Sequence, residues 1–188
     1  LPILGVAADN LCQKAYQLLK AKHPGLPSIH IHLHKLIPMG AGLGGGSSDG
    51  AYMLTMLNEK FALGYSEEDL MPMALELGSD CPFFISGKPA HGQGRGEILH
   101  PVPLSLSSWW LALVNPGIHV STKTAFDGVT PREAPVNLAE KIMEPVDQWK
   151  DWLENDFEKT IFAGFPEIAA VKEKLYADGA VYAAMTGT

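Results

Sequence analysis

Cysteine is scarce in this sequence. Cys12 lies in an apolar helical pattern, Cys81 stands beside a proline, and there are no others. A disulfide framework would need more, so a reducing, cytoplasmic setting is expected. Basic clusters are missing as well. Lys and Arg total 14 against 21 Asp and Glu, a net charge of −7, and no basic run is interleaved with aromatics. Nucleic acid is therefore not an expected partner, although a small anion can still bind locally. The longest apolar run, "WWLALV" at 109–114, is far too short to cross a bilayer, and no leader pattern opens the chain. A soluble protein with no membrane partner is expected, and nothing in the sequence fixes an oligomeric state.

A 46% hydrophobic content gives the chain enough apolar surface for a substantial core. Both ends read as cut, because residue 1 is Leu rather than Met and the chain stops at "VYAAMTGT". Residues 9–22 place Leu11, Ala15, Leu18 and Leu19 at helical spacing behind an Asp/Asn cap. "SIHIHLHKLIP", 28–38, alternates Ile29, Ile31 and Leu33 with His30, His32 and His34, the period of a strand with one face inward. After the glycine-dense run 37–50, Met53, Met56, Leu57 and Phe61 predict a helix from about 46–48 to Gly64. Ser66 and Asp69 form a capping-box pattern for a helix carrying Leu70, Met71, Ala74 and Leu77, closed by Gly78.

From Pro82 to about Val114 the pattern predicts short strands in "FFIS", "PAHGQG", "EILHPV" and a buried "WWLALVN", with Trp109 and Trp110 assigned to packing. Helices are expected at 121–127, 137–153 and 166–177, the last opened by Pro166. This irregular alternation favours an α+β sandwich over a doubly wound sheet.

A strand, a glycine loop and a helix start form a phosphate site in outline. Unpaired N–H groups and the helix dipole favour an anion there, and glycines let it approach the backbone. Gly40, Gly42 and Gly45 satisfy G-x-G-x-x-G, but the acidic second strand of the dinucleotide fold is not found downstream, and no Lys succeeds the glycines as in a P-loop. A flexible linker is the alternative reading, weakened by the tight join to strand and helix and by Pro38.

"PMGAGLGGGSSDG" resembles the ATP-binding motif of the GHMP kinases, the superfamily of galactokinase, homoserine kinase, mevalonate kinase and phosphomevalonate kinase. "GLGGGSSD" is similar to the branch acting on 4-diphosphocytidyl-2-C-methyl-D-erythritol in the non-mevalonate isoprenoid route. "LGSDCPFFISGKPAHGQGRGE" (77–97), "VNPGIHVSTKTAF" (114–126) and "NDFE" (155–158) resemble further motifs of that branch, in the same order. The resemblance implies an α+β GHMP fold, with a ribosomal protein S5 domain 2-like N-terminal part and a ferredoxin-like C-terminal part, truncated at both ends. Residues 1–105 would be the remainder of the ATP-binding domain and 106–188 the start of the C-terminal domain.

By the same resemblance the chain is an ATP-dependent bacterial kinase that phosphorylates the 2-hydroxyl of that cytidine diphosphate-linked alcohol, with ATP and Mg²⁺ as cofactors. Pro38, Met39, Gly40, Ala41, Gly42, Leu43, Gly44, Gly45, Gly46, Ser47 and Ser48 would wrap the ATP phosphates. Ser47 or Ser48 can add a hydroxyl to a phosphate or to Mg²⁺. Asp80 aligns with the catalytic aspartate; an Asx hydrogen bond in its turn is the bland alternative. Gly92, Gly94 and Gly96 either admit the acceptor's diphosphate or form a hairpin turn, and Gly94 is taken as substrate-binding. Thr122 and Phe126 align near the phosphates and the cytosine, with Phe126 alternatively a core anchor. Asp49 stands in the first turn of the helix, where its charge suits the dipole.

No metal-ligating side-chain set is assigned. His30, His32 and His34 share a strand face without a Cys or carboxylate at ligand spacing, and a solvated face is the better reading. The family's N-terminal motif, with its catalytic Lys and a Tyr-His pair, is absent. Lys35 and Lys88 match no motif, so that role is left empty, and the family's third motif breaks off at Thr188. The rival readings are a homoserine- or mevalonate-type kinase and an inactive nucleotide-binding fragment.

Overall fold

The computed structural model describes residues 5–130, 132 and 136–187, so Thr188 lies outside the described residues. The chain divides into two units, one ending at Val102 and the other beginning at Pro103.

In the first unit the Asn10 side chain accepts the Cys12 amide at 2.9 Å and caps α1 (Leu11–Lys22). Such a cap is worth about 1 kcal/mol. Beyond the glycine loop comes α2 (Gly45–Lys60). α3 (Glu67–Leu77) opens on the expected capping box, with Ser66 and Asp69 bonded reciprocally. Leu19, Leu54 and Leu57 are buried where α1 and α2 meet, and Leu70, Met73 and Ala74 close the core from α3. Burying one such leucine stabilises the fold by about 1.5–3 kcal/mol. Met53 and Leu57 are buried as expected and Phe61 packs on the core, whereas Met56, expected inside, is exposed and Leu54 takes its place.

Two expected strands in this unit are corrected. Residues 28–38 form neither strand nor helix; Ile29 and Leu33 still pack on the core, Ile31 is exposed, and His30, His32 and His34 face out. Period-two patterning fixes which side faces in, whereas a strand also needs a ladder partner. "FFIS" lies in α4 (Cys81–Ser86). Pro82 in the first turn costs a helix nothing but removes a donor from a ladder, and Gly87 at φ +61° ends the helix. The hairpin forms where the pattern predicts it. β1 (Ala90–Gln93) pairs antiparallel with β2 (Ile98–Pro101), with Gln93 opposite Ile98.

The second unit carries α5 (Thr122–Asp127), α6 (Leu138–Lys141), a 3₁₀ turn (Val146–Asp151), α7 (Glu158–Gly164) and α8 (Pro166–Ala177). The expected 137–153 helix is broken because Pro145 lacks an N–H and its ring disfavours helical backbone just before it. "WWLALVN" is no strand, and Trp110, Leu111, Leu113 and Val114 are exposed, which corrects the packing role given to Trp110 and its neighbour Trp109. The buried apolar residues of this unit are Ala125, Trp149, Ile161 and Ala183. Trp149 donates to the Glu144 carbonyl at 3.0 Å and meets Tyr182 edge-on. Burial, reinforced by the Glu158 charge, pushes the Tyr182 hydroxyl up to about 12.

The "NDFE" run has a structural task here. Buried Glu158 accepts from Lys172 Nζ at 2.6 Å and from the Met185 amide at 2.7 Å. Asn155 Nδ2 donates to the Met185 and Gly187 carbonyls, each at 3.0 Å, which fixes the "MTG" segment. No helix among the described residues is long and apolar enough to cross a membrane.

Candidate active site

The loop from Pro38 to Gly44 has the backbone its glycines suggest. Gly40, Gly42 and Gly44 have φ of +73°, +68° and +62°, while Ala41 and Leu43 between them do not enter the positive-φ region. Alternating signs of φ turn successive N–H groups toward one side, the arrangement of an anion-binding nest. Gly44 is fixed twice over, since a Cβ there would lie 2.9 Å from the Phe84 ring in addition to the left-handed strain. The first helical bond of α2 runs from the Ser48 amide to the Gly44 carbonyl at 2.8 Å, so the Gly45, Gly46 and Ser47 amides precede the helix ladder. No side chain caps them.

Asp80 immediately precedes α4 at φ −86° and ψ −13°, and its side chain is exposed. Its carboxylate makes no capping bond to the helix, so the turn-stabilising alternative is not what this side chain does there. Leu43 and Gly44 from the loop, Asp80, Phe83 and Phe84 around α4, and Ala90, Gly92, Gly96 and Leu99 from the hairpin line one cleft of about 250 Å³. The helix-proximal end of the glycine loop, at Leu43 and Gly44, and Asp80 therefore border a common space. Gly96, at φ +106°, brings the hairpin turn so close that a Cβ on it would stand 3.3 Å from Asp80 Oδ1. Gly94 has φ +70° in the same turn. The Glu97 carboxylate folds back on this turn, and the Glu97 and Arg95 amides hold it below the usual carboxylate range.

The loop serines separate in role. Burial first, and the Asp80 charge to a lesser degree, raise the pKa of the buried Cys81 thiol, and the Ser47 side chain opposes that rise. Ser48 leaves its hydroxyl without a partner among the described residues. No group of three His, Cys, Asp or Glu among the described residues is placed to hold a metal ion.

In the second unit, Thr122 is exposed in the first turn of α5, whose start is capped by Ser121. Phe126, 59% exposed, meets Phe157 edge-to-face at 5.0 Å, so it is part anchor and part open ring face.

Sequence patterns do not reveal the Lys35–Asp49 ion pair. Lys35, only 7% exposed, pairs with the Asp49 carboxylate. In the sequence Asp49 suggests a helix-dipole role alone, and the signal for its partner is Lys35 on the inward face of the alternating run, in register with Ile29, Ile31 and Leu33. Phe83 and Phe84 are likewise hidden, since as strand residues they would alternate between two faces.

Residues 10–88 match the GHMP kinases N terminal domain. The 4-diphosphocytidyl-2-C-methyl-D-erythritol kinase of Cytophaga hutchinsonii is 46% identical over 99% of this chain and 69% of that protein. Its counterpart from Azobacteroides pseudotrichonymphae is 51% identical over 96% and 68%. The one from Bacteroides fragilis is 48% identical over 100% and 68%. A crystal structure of 4-(cytidine 5'-diphospho)-2C-methyl-D-erythritol kinase superposes with a TM-score of 0.74 at 30% identity, covering 98% of this chain and 68% of that one. With relatives this similar matched along nearly its whole length, the chain belongs to the 4-diphosphocytidyl-2-C-methyl-D-erythritol kinase family of GHMP kinases.

Proposed function

We propose that this chain transfers the γ-phosphoryl group of ATP to the 2-hydroxyl of 4-diphosphocytidyl-2-C-methyl-D-erythritol. Family membership supplies the substrate class, and the observation that carries the chemistry is the cleft shared by the bare loop and Asp80. In such a transfer the acceptor oxygen attacks the γ-phosphorus, the bond to the bridging oxygen breaks and ADP leaves, so catalysis rests on positioning and charge stabilisation. The loop amides of Gly44 to Ser47 hold the phosphates without side-chain ordering. Asp80 accepts the hydroxyl proton as the new bond forms, a contribution of about 10²–10⁴-fold.

Mg²⁺ in sites of this kind neutralises phosphate charge and is bound by a few protein oxygens plus the phosphates themselves. The donors here fit that sparse pattern, with the Ser47 or Ser48 hydroxyl as the protein oxygen. The Gly94 turn lies along the path of the acceptor's diphosphate. Thr122 and Phe126, in the second unit, are carried over from the family motif alone, as an exposed hydroxyl suited to a phosphate and an exposed ring suited to a base. Two buried free thiols, Cys12 and Cys81, support a cytoplasmic location.

The test is ATP-dependent ADP release by the full-length enzyme with the cytidylated alcohol, homoserine and mevalonate supplied in parallel. Release with the first alone is expected. Preference for either of the others would overturn the substrate assignment, and release with none would leave a nucleotide-binding protein.

A further inference from the structure

The two feet of the glycine loop are joined. Lys35 stands at one foot and Asp49 at the other, fourteen positions apart, and their charges meet in a salt bridge. A Cβ on Gly45 would lie 3.2 Å from Lys35 Nζ, so the ammonium sits directly beneath the first residue of α2. The second foot is tied further, because Cys12 Sγ on α1 donates to the Asp49 carbonyl at 3.6 Å. The same two charges reach Cys12, where burial and then Asp49 raise the thiol pKa and Lys35 lowers it.

A largely buried ion pair is weak evidence for stability, since desolvation cancels most of the attraction. Such pairs are better explained by what they fix. A cation at a helix start also opposes the helix dipole, and the Asp49 carboxylate beside it offsets that. We propose that the Lys35–Asp49 pair is a positioning device that sets the spacing of the loop's feet, and with it the convergence of the Gly44 to Ser47 amides on the nucleotide phosphates. The inference rests on the kinase reading above. Neither side chain is asked to touch the substrate, so both act through the backbone they hold.

The experiment compares Lys35→Met with the double variant Lys35→Met/Asp49→Leu in the full-length enzyme, reading melting temperature, ADP affinity by calorimetry, and KM for ATP and for the cytidylated alcohol separately. Lys35→Met is expected to raise KM for ATP and Kd for ADP about 10-fold or more, with KM for the alcohol within about twofold, because a loop displaced by a fraction of an ångström loses phosphate contacts only. The double variant is expected to recover the melting temperature, as apolar replacement of a buried pair is often neutral, while its KM for ATP stays high. If Lys35→Met does not fold, the double variant carries the test. An ATP KM that returns together with the melting temperature overturns the inference. So does an unchanged ATP KM in a destabilised Lys35→Met. A wild-type enzyme that fails to bind ADP defeats the kinase reading itself, an outcome distinguishable from either.

Discussion

Two glycine-rich stretches border the same cleft, and they are built for different purposes. The loop at 40–46 runs into the sixteen-residue helix α2 with uncapped amides, and Leu43 and Gly44 line the cleft. The run at 92–96 makes a hairpin turn whose backbone is held by its own partners, Gly96 N to Gln93 O at 3.1 Å and the Glu97 carboxylate on the Arg95 amide at 2.6 Å. Similar composition therefore gives an open cradle in one case and a closed turn in the other. The element that each run leads into makes the difference, because a helix start leaves donors over whereas a β-hairpin consumes them. What the hairpin contributes is proximity, through Gly96 against Asp80.

The strongest way to break this contrast is at the carboxylate between them. Asp80→Asn should reduce turnover by about 10²–10⁴-fold with ADP affinity unchanged, read by coupled ADP release and calorimetry. Equal losses in both would make Asp80 a structural residue. Next comes Gly44→Ala, which meets both the left-handed strain and the Phe84 ring. It should destabilise the protein by about 1–3 kcal/mol and weaken ADP binding, while Gly46→Ala, which meets nothing within 4 Å, changes stability little. Melting curves with and without ADP separate the two.

Gly96→Ala sharpens the comparison from the hairpin side. A methyl group at this position of positive φ crowds Asp80 Oδ1, so kcat should fall about 10-fold while KM for ATP holds. Phe126→Ala probes the second unit, where loss of a stacking face should raise KM for the cytidylated alcohol about 5-fold or more and leave KM for ATP alone.

The smallest effect belongs to the α3 cap. Asp69 is held below the usual carboxylate range by the Ser66 side chain and then by the Ser66 amide. A depressed carboxylate contributes stability above its unfolded pKa and loses it as pH falls through the folded value. The melting temperature of wild type should therefore decline faster than that of Asp69→Asn below about pH 4.

Much of this is legible in the residues. The capping box at Ser66, the Asn10 cap, the hairpin and the Pro166 helix start are local signals, each satisfied within a few residues. The glycine loop and Asp80 are legible for the same reason, as a helix start and a turn. The features that escape sequence reasoning need partners distant along the chain. The 28–38 run alternates correctly yet has no ladder beside it among the described residues, and "WWLALV" is apolar enough for a buried strand yet lies exposed. "FFIS" departs from expectation because its composition suits either state and Pro82 decides. Lys35 and Asp49 are visible singly, but only folding makes them a pair.

The central claim is that the loop amides of Gly44 to Ser47 form the phosphate-binding surface. Amide NMR of the ¹⁵N-labelled full-length enzyme, titrated with ADP, tests this most directly. Saturable shifts at Gly44, Gly45, Gly46 and Ser47, with the hairpin amides of Gln93 to Glu97 much less affected, are expected. Binding confirmed by calorimetry with those loop signals unmoved would contradict it.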